Sequence, residues 1–386
     1  MHRSTLKLAL VVALAATLPI LVRADDRGAP SVRFELKLPA GISFDVWSYY
    51  IPRDNPITAD KVKLGERLFF DKRLSADGSV SCASCHDPRL AFADGRRLAE
   101  GISGKRGTRN TPSLLNSMFN TGQFWDGRAQ SLEAQAKMPL INPDEMGAQT
   151  HEQVVTRVNA MPEYSKPFAD AFGRAATIDL IVKAIASYER TLVSGDSPLD
   201  KYIAGDVKAL SESARNGMIL FRGRARCSVC HTFNQSFPFL TDGNYRNTGV
   251  AANFSGFELL TRRAIALPRD DSSGGLGALA KQDGSYELGR FLFTGNSLDI
   301  GAYRTPSLRN VELTAPYFHD GSAATLLDVV RFYVKGGNAN PMRDWQLEAV
   351  DLSEDEQRDL VEFLKSLTSN EARRIGQAEF HEAVFK

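Results

Sequence analysis

The sequence predicts a mainly α-helical protein whose two halves follow one plan. Apolar residues recur at helical spacing in seven stretches, strand signals are few and short, and one string of short motifs occurs twice in the same order. At 386 residues, 43% hydrophobic and 24% charged, the chain is long enough for two domains with real cores. Its formal net charge of +1 gives no sign of a nucleic-acid binder.

The helical stretches are 59–71, 131–137, 152–158, 178–193, 211–221, 325–334 and 354–367. Ser353 followed by Glu356 reads as a capping box opening the last of them. A domain joint is expected around 194–198, where a helix runs into Ser-Gly-Asp-Ser-Pro. That places one domain at 25–197 and the other at 198–386, after a leader at 1–24. In the leader, Arg3 and Lys7 precede an apolar run from Leu8 to Val22, and Val22-Arg23-Ala24 ends in a small residue. This reads as a cleavable signal peptide and predicts an exported, periplasmic protein with no stable membrane span after cleavage; a retained anchor is the other reading.

The four cysteines are Cys82, Cys85, Cys227 and Cys230, arranged as two Cys-x-x-Cys pairs. Histidine follows each pair at once, as His86 and His231. Such spacing attaches haem: each thiol forms a thioether with a vinyl group, and the adjacent imidazole binds the iron. A redox dithiol or half a zinc site would use one pair, but here both pairs have the histidine and together consume every cysteine. Two covalent haem c groups are therefore expected.

The repeat surrounds these motifs. Gly65-Glu-Arg-Leu-Phe69 precedes the first, and Gly217-Met-Ile-Leu-Phe221 the second. Thr111-Pro-Ser-Leu-Leu-Asn116 is echoed by Thr305-Pro-Ser-Leu-Arg-Asn310. Phe124-Trp125-Asp126-Gly127 is echoed by Phe318-His319-Asp320-Gly321, so Trp125 and His319 are equivalent. The fold expected is two cytochrome-c-like haem domains related by an internal duplication, with haem edges converging near Trp125. The second half carries an insertion at about 232–302, rich in Gly, Ser and Asn, which reads as a surface loop.

Function turns on the other face of each iron, because a closed site transfers electrons and an open one activates small molecules. His151, His319 and His381 remain as distal candidates. His319, in an Asp-Gly turn, suits hydrogen bonding or packing better than ligation.

These residues resemble the di-haem cytochrome c peroxidase family, including its MauG branch, from about Pro52 to Leu367. The most specific stretches are Arg109-Asn-Thr-Pro-Ser-Leu-Leu-Asn116, Gln123-Phe-Trp-Asp-Gly-Arg128 and Leu313-Thr-Ala-Pro-Tyr-Phe-His-Asp-Gly321. The resemblance implies a peroxide-reactive N-terminal haem and an electron-transfer C-terminal haem. Many peroxidases of the family carry a blocking histidine after the first motif; the matching loop, Glu100-Gly-Ile-Ser-Gly-Lys-Arg-Gly107, has none, so a five-coordinate first haem is expected. Where the peroxidases place methionine 14 residues after the turn histidine, this chain has Tyr333, as the MauG branch does. Tyr333 is thus expected to ligate the second iron; the alternative is a packed tyrosine, with Met342 or Met218 as ligand.

By the same resemblance, Glu145 matches the distal acid–base carboxylate, Gln135 the distal glutamine and Trp125 the tryptophan between the haems. Asn110, with the carbonyls of Thr314 and Pro316, matches the ligands of one calcium ion, a hard cation suited by oxygen donors. The implied activity reduces hydrogen peroxide to water, with a small periplasmic cytochrome c or cupredoxin as electron donor. One alternative is MauG-like oxidation of Trp or Tyr side chains in a partner protein, with oxidising equivalents stored on both irons. The other is a non-catalytic electron carrier. Against MauG itself, the position two residues before the second motif is Ala225 where MauG has a surface tryptophan. Trp345 is a second possible exit, with packing its commoner role.

Overall fold

The computed structural model describes residues 36–377 except 233, 235–236 and 269–273; the candidate signal peptide at 1–24 and His381 lie outside the described residues. A short unit ends at Lys37, and the larger unit from Leu38 onward holds every element below. It is mainly helical, with a single two-stranded ribbon among the described residues, Tyr245–Arg246 antiparallel to Tyr303–Arg304.

All seven helical stretches form, as Ala59–Phe70, Leu132–Ile141, His151–Asn159, Ile178–Glu189, Glu212–Arg222, Leu326–Val334 and Glu354–Lys365. Hydroxyl caps start them: Thr58 accepts from Lys61 N, Thr177 from Leu180 N and Ser211 from Ala214 N. The capping box at Ser353 is present, with Glu356 Oε2 2.9 Å from Ser353 N and Ser353 Oγ 3.2 Å from Glu356 N.

Two helix pairs make the cores. Ala59–Phe70 packs on Ile178–Glu189, and Glu212–Arg222 packs on Glu354–Lys365. Both crossings are made close by glycine. A β-carbon at Gly65 would fall on the Ala184 carbonyl and lie 3.0 Å from Tyr188 Cβ. One at Gly217 would fall on the Asp359 carbonyl and lie 2.9 Å from Phe363 Cβ. The glycine of each Gly-x-x-x-Phe motif thus lets the backbones touch, and the phenylalanine one turn on, Phe69 or Phe221, is fully buried below it.

The asparagines ending the two Thr-Pro-Ser-Leu motifs also share a geometry. Asn116 and Asn310 both have φ near +60°, and their amides donate to Leu192 O and Leu367 O, just beyond the paired helices. Both side chains converge on one residue: Asn116 Nδ2 donates to Ser194 O and Asn310 Nδ2 to Ser194 Oγ, each at 2.9 Å. The segment expected to be a joint is therefore buried, and both halves hold it. The last helix, Asn370–Gln377, returns to pack on the Pro88–Leu90 turn beside the first motif.

The insertion departs from the loop the sequence suggested. It folds into helices Phe257–Ile265 and Gly275–Ala280, and Phe257, Leu260, Ala264, Leu279, Leu288 and Phe291 form a core of their own. Overpacking a close helix crossing costs ~1–3 kcal/mol. Gly217→Ala should accordingly lower the thermal midpoint of the haem-loaded protein, and an unchanged melt would contradict the close approach of the two helices.

Candidate functional site

Each Cys-x-x-Cys-His motif forms one tight turn. His86 N donates to Cys82 O at 2.9 Å and His231 N to Cys227 O at 3.0 Å, so both thiols and the imidazole are presented from one short segment. The four cysteines are free of disulfides. Burial pushes the Cys82 and Cys227 thiols up to about 12 and the Cys85 and Cys230 thiols up to about 11.

The two histidines are oriented alike. His86 Nδ1 lies 3.0 Å from Phe92 O and His231 Nδ1 lies 2.8 Å from Leu240 O. A carbonyl can only accept, so Nδ1 carries the proton and Nε2 keeps its lone pair for a metal. Burial lowers both pKa values and keeps the rings neutral. The accepting turns are held in place by the Thr-Pro-Ser-Leu serines: Ser113 Oγ donates to Ala91 O at 2.6 Å and Ser307 Oγ to Phe239 O at 2.7 Å.

Beside the second motif lies a cavity of about 270 Å³. Cys227, Cys230 and His231 line it, with apolar wall from Phe221, Val330 and Leu364, and Tyr333 also on the wall. Neither Met218 nor Met342 lines it; Met218 packs in the second core and Met342 against the core of the insertion. Arg246 and Arg304 line it too, and the Nε of each is buried without a hydrogen-bond partner among the described residues. Two thiols, an imidazole with a free Nε2, an apolar slot and orphaned guanidinium donors suited to propionate carboxylates together fit haem.

That set of donors, present once in each motif turn, raises the question of family, and the comparisons answer it. The chain is 39% identical over 325 residues to "Methylamine utilization protein MauG" of Methylorubrum extorquens, covering 83% of this chain and 82% of that one. The chain belongs to the di-haem cytochrome c peroxidase family. The family description "Di-haem cytochrome c peroxidase" matches residues 59–208. A "Cytochrome c551 peroxidase" of Nitrosomonas europaea is 38% identical, covering 82% of each chain. Among solved structures, a MauG-like protein associated with microbial copper homeostasis has a TM-score of 0.70 at 34% identity, over 83% of this chain and 93% of that one. Membership implies two c-type haems and the chemistry of an oxidoreductase.

Around the first motif of this di-haem protein, Glu145 is a part-buried carboxyl. Asn142 Nδ2 donates to its Oε1 at 2.8 Å, and its field reaches both Cys82 and Cys85. Burial raises its pKa, opposed by Arg128. The histidine-free loop 100–107 is committed to this acid: Ile102 N donates to Glu145 O at 2.9 Å, and Gly101 is pressed on Asp144 and Glu145 backbone. Gln135 is half-buried on helix Leu132–Ile141, which leads directly into the Glu145 turn.

At the junction, Trp125 Nε1 donates to Asn110 O at 2.8 Å, and both residues line the second cavity from the first half of the chain. Thr314 and Pro316 line the same cavity, and Asn110 Nδ2 is taken by Arg96 O, which leaves its Oδ1 for another partner. His319 is engaged elsewhere: its Nε2 lies 2.8 Å from Glu287 Oε2 and its ring stacks on Tyr303 at 3.6 Å. His151 Nε2 is likewise engaged, 3.0 Å from Lys137 O. Trp345 is not packed; it is 81% exposed, on a segment whose next residues, Gln346 to Glu348, wall the second cavity. Arg246 and Arg304 escaped the sequence reading, and only Arg304, next to Thr305-Pro-Ser-Leu, had a motif to mark it.

Replacing Cys82 and Cys85 together by serine should halve the haem absorbance per chain and remove one haem from the intact mass. A double variant that keeps two covalent haems would contradict the assignment.

Proposed function

We propose that this chain is a periplasmic peroxidase that reduces hydrogen peroxide to water with electrons from a small cytochrome c or cupredoxin, and that peroxide reacts at the first motif. The observation that carries this reading is Glu145, a part-buried acid whose field reaches Cys82 and Cys85, with no histidine in the loop that packs on it. When bound, the haems supply the electrons that divide the oxygen–oxygen bond and the route by which they are replaced.

Glu145 would take a proton from one oxygen of hydrogen peroxide and return it to the other, which leaves as water. Asn142 fixes the carboxylate's orientation, and Gln135 polarises the departing group. Trp125 stands in the path between the two sites, held by Asn110. Asn110 Oδ1 and the carbonyls of Thr314 and Pro316 would hold one calcium ion there.

Tyr333, on the wall of the second cavity with His231, would hold the second iron. Burial pushes its phenol well above the usual range, so it ionises only against a compensating cation, which ferric iron provides. The absence of methionine from the described cavity wall supports tyrosine over Met218 or Met342. Tyr333 and the exposed Trp345 also favour a second reading, oxidation of Trp or Tyr side chains in a partner protein, as the relatives named MauG invite. Repeated geometry at Gly65 and Gly217 and at Asn116 and Asn310 supports two haem domains related by duplication.

Glu145→Gln should slow the reaction with peroxide by roughly 10²–10⁴-fold while both haems remain; an unchanged rate would remove Glu145 from the mechanism. The base must be ionised, and burial raises its pKa above 4.5, so the rate should climb with pH through that raised value and then level off. Tyr333→Phe should change the ferric spectrum of the second haem and raise its potential as the anionic oxygen is lost. Stopped-flow spectroscopy and potentiometry check both, and an unaltered second-haem spectrum would rule out Tyr333 as ligand.

A further inference from the structure

Helix Ile178–Glu189 ends in a carboxyl that none of the chemistry above uses. Glu189 is 4% exposed, and its Oε2 is buried with no hydrogen-bond partner among the described residues. Adjacent Arg190 makes no hydrogen bond to it: its terminal nitrogens bond Glu133 on helix Leu132–Ile141 at 2.7 and 2.9 Å, and its Nε has no partner among the described residues. An unpartnered buried carboxyl is costly, so its presence calls for a group that the protein chain does not itself supply.

The helix register identifies the matching place in the other half. Gly65 rests on Ala184 and Tyr188, and Gly217 rests on Asp359 and Phe363. Tyr188 therefore matches Phe363, and Glu189 matches Leu364. Leu364 is a wall of the second cavity, together with Cys227 and His231. The fold thus accepts leucine at this place beside one haem and holds an acid beside the other. Consistent with that placement, Glu189 exerts the strongest field of any neighbouring side chain on Cys82.

We propose that Glu189 sets the redox potential of the first haem, through a carboxyl aimed at that cofactor where the second haem meets leucine. The inference rests on haem attachment at Cys82 and Cys85, and not on peroxide chemistry. Burial pushes the Glu189 acid up to about 8, against the pull of Arg190. The charged or titratable groups around it are Arg190 and Tyr188 on its own helix, Glu133 on helix Leu132–Ile141 and Cys82 in the first motif, with Glu66 on helix Ala59–Phe70 acting on Tyr188. An ionised carboxylate favours ferric over ferrous iron, whereas the neutral acid does not. Glu189 therefore loses its proton at lower pH when the iron is ferric. Between the two values, each electron given to the iron brings one proton from solvent onto Glu189.

The test is spectroelectrochemical titration of both haems against pH in the full-length di-haem protein, Glu189→Leu and Glu189→Gln. In the parent, the first midpoint should fall as pH rises through about 8, and the second should not. In both variants the first midpoint should lose that slope and stand above the parent's at alkaline pH. The isosteric glutamine carries the same test without a change of packing. First-haem titrations in the variants that superimpose on the parent's would overturn the proposal, as would equal shifts at both haems.

Discussion

A hydrogen bond from an imidazole Nδ1 to a main-chain carbonyl underlies everything else in this molecule. It occurs twice, at His86 to Phe92 and at His231 to Leu240. Each bond selects the tautomer that keeps Nε2 free and fixes the plane in which a metal can meet it. The accepting carbonyls sit in strained backbone, with φ of +59° at Phe92 and +51° at Leu240, and a motif serine holds the preceding residue's carbonyl in both cases. The Thr-Pro-Ser-Leu repeat therefore has a mechanical role: it holds the turn that orients the histidine.

Upon that shared frame the two sites diverge in chemistry. The first is surrounded by carboxyls, Glu145 and Glu189, whose pKa values burial raises. The second is lined by the guanidinium groups of Arg246 and Arg304 and by the phenol of Tyr333. An acid–base group suits proton movement, while a buried phenol beside arginines suits a closed, charge-holding site. Trp125 and Asn110 are among the residues that reach from the first half into the wall of the second cavity, joined by the indole's bond to a main-chain carbonyl.

The fold was largely legible because its signals are local. Helical spacing marked seven helices and a capping box the start of the last, while the repeated Gly-x-x-x-Phe motif marked a shared plan but not that its glycines lie at the two crossings. Helix Pro162–Phe172 escaped notice because Pro167 interrupts its interior, and the helices of the insertion were masked by its glycines and serines although Phe257, Leu260 and Ala264 keep helical spacing. At the site, the thiols and proximal histidines were fixed by spacing alone. The expectations for Glu145, Gln135, Tyr333 and a calcium ion needed the family resemblance, since the residues concerned lie in segments distant in sequence from the two motifs. Arg246 and Glu189 gave no such signal. Their significance is an unpartnered buried atom, which only three-dimensional neighbours reveal.

The account reduces to an asymmetry between two irons, one with a free face beside Glu145 and one closed by Tyr333. Electron paramagnetic resonance of the ferric protein, before and after one equivalent of peroxide, tests it most directly. One high-spin and one low-spin signal, with peroxide consuming the high-spin one first, is the predicted result. Two low-spin signals indifferent to peroxide would contradict it.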